Sequence, residues 1–208
     1  LEAAASGALD TEQGYAEQVE RLFASPRTRD TMHNFFGAWL KLQKLPSMDE
    51  NAGRADFAAY AGDELPDENL TQELVADLLG FIDHVVWDEQ GSFVDLFTSR
   101  SAVLPSPQVA SLYGVPFSEE PVELDPNERA GLLTRPALLA YNQATTRPIM
   151  RGVKVRVRLA CAQLELPDMM DDIQIPAANP GETTRARIED LTEQPGSTCA
   201  SCHALINP

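Results

Sequence analysis

The sequence of 208 residues has few of several chemically distinctive side chains: three cysteines, three histidines and 7% aromatic residues. An odd number of cysteines excludes a fully paired set of disulfides within one chain. Lysine and arginine number 16 against 32 aspartates and glutamates, so the formal net charge is −16. A chain this acidic repels phosphate backbones, which argues against nucleic-acid binding. No run of about 18 apolar residues is present, so nothing predicts a membrane-spanning helix.

The sequence signatures of common enzymes are also missing. The chain has no Gly-rich phosphate loop, no Gly-x-Ser-x-Gly and no His-Glu-x-x-His, so no catalytic constellation is visible. Residues 1–7 lack the basic start and the apolar run of a secretory signal, so the protein is either cytosolic or has already lost a leader. With 43% hydrophobic residues, the chain has enough apolar material for a core.

Helical spacing dominates residues 12–164, and alternating strand patterns are nearly absent. Thr11 is expected to cap a helix that runs to about residue 24, and Ser25 with Pro26 to begin a second helix that ends near residue 45. A longer helix is predicted from about residue 68 to residue 89. The apolar residues with helical spacing are Tyr15, Val19, Leu22 and Phe23 in the first helix, Met32, Phe35, Phe36, Trp39 and Leu40 in the second, and Leu70, Leu74, Leu78, Phe81, Ile82 and Val85 in the third.

The rest of the chain predicts short helices and one extended segment. The second and third helices should pack together and bury Trp39, and Cys161 should be a buried thiol at the end of an apolar helix. Residues 165–182 form a Pro-rich arm, after which Thr183 or Thr184 caps a last short helix. The predicted fold class is all-α, an irregular helical bundle with a Pro-rich arm that carries a C-terminal Cys-x-x-Cys-His motif. The predicted modules are residues 1–145 and 146–208.

That motif, Cys199-Ala-Ser-Cys202-His203, contains three of the six cysteine and histidine residues of the chain. Two thiols at this spacing can add across the two vinyl groups of haem, and the adjacent histidine then lies under the iron. The motif therefore predicts covalent haem c, with Cys199 and Cys202 as attachment residues and His203 as the proximal iron ligand. Three alternatives stay open: a dithiol redox site, which would better follow a strand; a zinc site, which lacks a second ligand pair; and a plain disulfide.

One segment of the acidic chain is basic. Residues 147–158 contain no acid and five cations, which are Arg147, Arg151, Lys154, Arg156 and Arg158. The simpler interpretation is a helix face that balances nearby acids. The sharper one is a helix that neutralises an anionic ligand, with Arg147, Arg151 and Arg158 facing the haem propionates, because guanidinium groups pair well with carboxylates.

The second axial position of the iron is a separate question. Only five residues follow His203, so a sixth iron ligand is expected from upstream or from another chain, or is absent. Met170 is the favoured candidate and Met169 the alternative, because both lie in the Pro-rich arm before the motif. His33 and His84 are less favoured, since a lone histidine on a predicted helix is more often a surface or core-edge residue.

Several stretches carry a resemblance to a known family from Glu17 onward. The stretches are Val19-Glu-Arg-Leu-Phe-Ala-Ser-Pro-Arg, Asn34-Phe-Phe-Gly-Ala-Trp-Leu, the helix at 73–86, Leu112-Tyr-Gly-Val, Arg129-Ala-Gly-Leu-Leu-Thr-Arg, Thr146-Arg-Pro-Ile-Met-Arg-Gly and Cys199-Ala-Ser-Cys-His-Ala-Leu-Ile-Asn-Pro. In this order and spacing they resemble the planctomycete-type, cytochrome-associated domains of unknown function, in which a helical module precedes a C-terminal haem-attachment module.

The resemblance implies a secreted or periplasmic bacterial haem protein, with Cys199 and Cys202 at the thioether positions and His203 as the proximal ligand. Arg151 with Gly152 matches the Arg-Gly that opens the helix leading to the motif, so Arg151 is counted among the cofactor-binding residues. Two departures stand out. The family pattern has a histidine about six residues before the first motif cysteine, and none occurs here. Members also continue past the motif, so we expect this chain to be a piece or a processed form of a longer protein.

Three functional hypotheses follow. The first is a c-type cytochrome module for electron transfer, periplasmic or extracellular, whose acidic surface suits a basic redox partner protein. The second is a haem-based enzyme or a sensor of a gas or peroxide, with an open iron site. The third is a non-haem structural module whose cysteines form a disulfide.

Overall fold

A computed structural model describes residues 1–140, 148–164, 179 and 181–206. The chain divides into two compact units, an N-terminal unit, Leu1–Leu138, and a C-terminal unit, Leu139–Pro208. The module boundary predicted at 145/146 falls outside the described residues and stays a prediction. In the part of the chain that is described, no helix is long and apolar enough to cross a membrane.

Helices make up most of the N-terminal unit, and its sheet has two strands of two residues each. The strands β1, Ser101–Ala102, and β2, Val122–Glu123, run antiparallel. Short 3-10 turns join some of the helices, and a π turn, His84–Asp88, extends the helix Leu70–Asp83. This architecture confirms the predicted all-α, irregular helical fold. The helices are α1 (Glu2–Ala5), α2 (Glu12–Phe23), α3 (Pro26–Leu40), α4 (Ala55–Ala61), α5 (Leu70–Asp83), α6 (Asp95–Thr98), α7 (Pro107–Tyr113) and α8 (Pro136–Leu139).

The core of the N-terminal unit forms around α5. Helix α3 packs against it and contributes Phe36 and Leu40, both 2% exposed. Burying such side chains stabilises a fold by about 1.5–3 kcal/mol each relative to leaving them exposed. All six apolar positions predicted for the long helix are buried, namely Leu70, Leu74, Leu78, Phe81, Ile82 and Val85.

The structure confirms three predicted helix starts, two of them through a side-chain capping hydrogen bond. Thr11 Oγ1 accepts a hydrogen bond from the Gly14 amide at 3.1 Å and caps α2. Pro26 occupies the first residue of α3, where its missing amide hydrogen costs nothing. In the C-terminal unit, Thr183 Oγ1 accepts from the Ala186 amide at 3.1 Å and caps α10, Thr184–Thr192.

Two packing expectations for the N-terminal unit need correction. The apolar stripe of α2 does not enter the core: Tyr15 is 61% exposed and Leu22 is 55% exposed. Trp39 is half-buried rather than buried, and its ring lies 5.6 Å from that of Phe35 and 5.7 Å from that of Phe36 between centroids. Since α2 packs closely against the turn just before it, Ala8–Asp10, the side chains on its other face are left exposed.

The C-terminal unit consists of three helices in the described residues. Helix α9, Pro148–Lys154, continues into a π turn, Val155–Leu159; α10 follows the Pro-rich segment, and α11, Thr198–His203, is last. The helical segment that begins with α9 ends at Leu159, before Cys161. Cys161 has a left-handed backbone, φ +52°, and is exposed, so the expectation of a buried thiol is wrong. The Pro-rich arm predicted at 165–182 lies largely outside the described residues.

Candidate functional site

The three residues of the Cys-x-x-Cys-His motif lie on α11. Positions 199, 202 and 203 are related by three and four residues, so they share one face of the helix. The local sequence explains the helix. Gly196 adopts φ +81°, which breaks the chain after α10, and Ser197 Oγ then accepts a hydrogen bond from the Ala200 amide at 3.1 Å. The motif therefore lies on a capped helix.

The Cys199 thiol is free to form a covalent bond, and the His203 imidazole has a nitrogen that no described group occupies. Cys199 is a free thiol of intermediate exposure. His203 is also partly buried, and its Nδ1 atom is inaccessible to solvent without a hydrogen-bond partner in the described residues. Cys202 lies on the helix, but its side chain is outside the described part of the structure. No described group therefore competes for the buried imidazole nitrogen.

Helix α9 approaches the end of the motif very closely. A Cβ atom added to Gly152 would lie 2.5 Å from Ile206 Cγ2 and 2.8 Å from the Ile206 carbonyl oxygen. Both distances are far below van der Waals contact, so only glycine permits this approach. Arg151 precedes that glycine, which places its helical turn against the segment directly following His203.

Three arginines of the C-terminal unit each have a buried Nε atom that finds no hydrogen-bond partner in the described part of the chain. These arginines are Arg151, Arg156 and Arg187. Burial lowers the pKa of Lys154, and no nearby acid raises it. Buried cations are normally paired, because an uncompensated charge in the interior costs free energy. Within the described residues, these Nε atoms therefore have no negatively charged partner.

These residues fit a covalently bound haem better than they fit a bare metal ion. No group of three or more His, Cys, Asp or Glu side chains able to hold a metal ion occurs within the described ranges. A haem iron makes a smaller demand, because the porphyrin supplies four nitrogen ligands and the chain needs to supply only one imidazole. Its two propionates would also offer these arginines the carboxylate partners that the described residues do not provide.

The remaining predicted site residues are placed only in part. Met169, Met170 and Arg147 lie outside the described residues, so their predicted roles stay predictions. The two other histidines are held by carboxylates in the N-terminal unit. His33 Nε2 lies 2.8 Å from Asp83 Oδ1, and His84 Nδ1 lies 3.1 Å from Asp88 Oδ2. Both geometries favour structural roles over iron ligation.

Sequence reasoning missed a buried polar cluster in the N-terminal unit, which we call the Asp77 cluster (Asp77, Tyr113 and Arg135). Arg135 Nη1 donates to Asp77 Oδ1 at 3.3 Å and to Tyr113 Oη at 3.2 Å, and the Tyr113 hydroxyl donates to Asp77 Oδ2 at 2.7 Å. The Arg135 guanidinium also lies over the Phe81 ring at 3.8 Å and donates to the Ser101 carbonyl oxygen.

Burial dominates the electrostatics of this cluster. It raises the pKa of Asp77 despite the opposing attraction of Arg135, and it raises the pKa of Tyr113. The side chains of Arg135 and Asp77 are 1% and 0% exposed. The carboxylate of Asp77, the hydroxyl of Tyr113 and the guanidinium of Arg135 are hydrogen-bonded to one another. The cluster therefore links the three chain segments that carry these residues and is structural rather than reactive. An available signal was the single acid on the apolar face of α5, flanked by Leu74, Leu78 and Phe81.

Two family models match the chain. Residues 1–115 match the family described as PSD4, protein of unknown function (DUF1592), and residues 129–208 match the family described as PSCyt3, protein of unknown function (DUF1588). No curated protein and no solved structure matches the chain. The two matches occur in the order that the resemblance of the sequence stretches predicts, so that recognition is confirmed.

Proposed function

Since the chain belongs to the PSD4 family of proteins of unknown function (DUF1592) and carries a PSCyt3 (DUF1588) region at its C-terminal end, we propose that it is a c-type cytochrome module that binds haem covalently. The observation that carries this proposal is the helix α11, which puts Cys199, Cys202 and His203 on one face, with Cys199 a free thiol. The family name PSCyt3, in which Cyt abbreviates cytochrome, supports the same assignment.

The proposed attachment is an addition reaction and needs no oxidant or reductant. Each thiol adds across one vinyl group, so that a sulfur–carbon bond forms at one vinyl carbon and the proton goes to the other. Cys199 and Cys202 would then fix the group at two points, and His203 would bind the iron through an imidazole nitrogen. When bound, the haem supplies one-electron chemistry. The helix holds the three groups in register before the bonds form, which lowers the entropy cost of attachment.

Electron transfer is the proposed role. No catalytic constellation appears in the sequence, and the charge distribution favours a docking partner of opposite sign. The N-terminal unit has 9 lysines and arginines against 24 acids, which is −15, whereas the C-terminal unit has 7 against 8, which is −1. A basic redox protein would be steered to the N-terminal unit, with an association rate that falls as salt rises. Because haem is attached to such motifs outside the cytoplasm, we also propose a periplasmic or extracellular location.

The decisive experiment is an intact-mass measurement under denaturing conditions, after export from a host that can mature c-type cytochromes. We expect the polypeptide mass plus one haem, and colour that stays with the protein in acid–acetone. The double variant Cys199→Ser/Cys202→Ser should have the bare polypeptide mass, while Cys161→Ser, which changes an exposed cysteine outside the motif, should retain haem. A bare wild-type mass would refute the proposal, and a mass lower by two hydrogen atoms would identify the disulfide alternative.

The sixth iron ligand decides between electron transfer and an open iron site. We propose Met170, with Met169 as the alternative. Oxidised wild-type protein should show the long-wavelength charge-transfer band of a methionine–iron(III) bond, and Met170→Ala or Met169→Ala should abolish it. A band that survives both substitutions excludes both methionines. If the band is absent and the reduced protein binds carbon monoxide at once, the enzyme-or-sensor hypothesis replaces electron transfer.

A further inference from the structure

The arginines of the C-terminal unit differ in one respect, which is whether the structure gives them a partner. Arg185 and Arg187 both lie on α10, two residues apart and therefore on different sides of the helix. Arg185 Nε donates to Glu189 Oε1 at 2.6 Å, and its side chain is 85% exposed. Arg187 is half-buried, and its Nε atom is inaccessible to solvent and has no partner among the residues that the structure describes. Hence one helix presents a satisfied cation to solvent and an unsatisfied cation to the interior.

The same contrast appears on α9 and the π turn that follows it. Arg151 and Arg156 each have a buried Nε atom without a described partner. Arg158, which the sequence predicts to face a haem propionate, already takes part in another interaction. Arg156 lies in the π turn, Val155–Leu159, whose wider spacing changes which side chains follow α9 along one face. Such turns are frequent at functional sites.

Both helices contact α11 or the residues directly after it. Helix α10 packs against α11, and α9 approaches Ile206 so closely that Gly152 cannot carry a side chain. The unpaired arginines therefore belong to the two elements that flank the motif helix. Planar guanidinium groups bind carboxylates through two parallel hydrogen bonds, and a haem carries two propionate carboxylates.

We propose that Arg187 and Arg156, together with Arg151, form ion pairs with the two propionates of the haem attached at Cys199 and Cys202. This inference rests on the proposed function and adds the residues that set the charge around the cofactor. Arg187 and Arg156 bind the carboxylates and hold the porphyrin edge, and they stabilise the reduced iron, which carries one positive charge less than the oxidised iron. Arg185 does not take part, because Glu189 already neutralises it.

The test measures the midpoint potential of the haem-loaded full chain by spectroelectrochemical titration at fixed ionic strength. Arg187→Gln and Arg156→Gln should each raise the ferric-to-ferrous ratio at a given applied potential by about threefold to tenfold, and tenfold corresponds to about 59 mV for one electron. Arg185→Gln makes the same charge change on the same helix and should leave the ratio within about twofold of wild type. Arg187→Lys keeps the charge and should restore most of the wild-type potential.

A thermal melt gives a second readout that a purely structural arginine would not produce. In haem-loaded protein, Arg187→Gln should lower the melting temperature because the propionate loses its partner. In haem-free Cys199→Ser/Cys202→Ser protein, the same substitution removes a half-buried charge that has no propionate partner, so the melting temperature should stay constant or rise. Equal potential shifts for Arg187→Gln and Arg185→Gln, or a lower melting temperature in both backgrounds, would overturn the inference. The mass measurement, made first, separates that result from a failure of haem attachment itself.

Discussion

Replacing Arg135 by methionine tests whether the Asp77 cluster holds the N-terminal unit together. Methionine keeps most of the side-chain volume, so the change removes charge and hydrogen bonds rather than opening a large cavity. It removes the charged partner of Asp77, whose side chain is not exposed to water, and leaves it the Tyr113 hydroxyl as a donor. Stranding a buried charge costs about 3–5 kcal/mol. The Ser101 carbonyl oxygen also loses a charged donor, which costs about 1.5–3 kcal/mol.

Because these two costs share one side chain and are not additive, we expect Arg135→Met to lower the free energy of unfolding by about 4–6 kcal/mol at neutral pH. Urea denaturation followed by tryptophan fluorescence measures it. Arg129→Met is the matched control: Arg129 also lies over the Tyr113 ring, at 5.2 Å, but is only partly buried. It donates to two backbone carbonyl oxygens, at 3.0 and 3.1 Å, so its loss should cost about 1–2 kcal/mol.

The pH dependence gives the sign of the charge effect. Burial raises the pKa of folded Asp77 above the value of 3.8 that applies to the unfolded chain. This preference for the protonated form stabilises the fold fully below 3.8 and is lost as the pH rises through the folded pKa. Without Arg135 the folded pKa rises further, so the cost of Arg135→Met should be smaller at mildly acidic pH than at neutral pH.

A second substitution isolates the pairing itself. Asp77→Asn keeps an oxygen that accepts from Tyr113 but removes the charge, so the double variant Asp77→Asn/Arg135→Met should recover about 2–3 kcal/mol relative to additive single effects. A cost below about 1 kcal/mol for Arg135→Met at neutral pH, or strictly additive effects in the double variant, would show that burial of the pair does not stabilise the unit.

Three further substitutions have outcomes set by packing. Trp39→Ala should cost about 2 kcal/mol, less than a buried tryptophan would, since the ring is half-buried; a urea titration that gives more than twice this cost would mean a buried ring. Gly131→Ala should unfold much of the N-terminal unit, because Gly131 has φ +52° and a Cβ there would lie 2.3 Å from the Phe97 carbonyl carbon; a wild-type far-ultraviolet spectrum and melting temperature would contradict this. Gly152→Ala should destabilise the C-terminal unit by about 1–3 kcal/mol and lower the yield of haem-bearing protein, since its Cβ would strike Ile206; full stability and full yield would mean that the close approach is unimportant.

The helices were predictable because their signals are local. Thr11, Pro26 and Thr183 act on the backbone within three residues, and the apolar spacing of α5 identifies its buried face without knowledge of any neighbour. Whether an apolar face finds a partner is not local. The stripe that includes Tyr15 and Leu22 has the right spacing for burial, but both of these side chains are exposed in the folded unit.

The sequence predicts the part of the candidate site that depends on spacing within one helix, but not the contacts between helices. Spacing alone places Cys199, Cys202 and His203 on one helical face, but nothing in the sequence says which arginines lack a partner. Arg185 and Arg187 look equivalent in the sequence, and the distinction arises from the orientation of α10 and from Glu189. Likewise, Arg135 joins Asp77 across 58 residues, a separation that no periodicity reveals.

The Asp77 cluster also determines at which positions the chain could be divided into separately folding fragments. The first family region ends at residue 115 and contains Asp77 and Tyr113, whereas Arg135 comes from the second region, which begins at residue 129. The compact N-terminal unit extends to Leu138, beyond the end of the first region. A chain severed between the two regions would strand an acid in its interior, and the released remainder would expose an arginine suited to that interior. The contact between Asp77 and Arg135 therefore joins the two family regions inside the N-terminal unit, and replacing either region alone would remove one of the two partners.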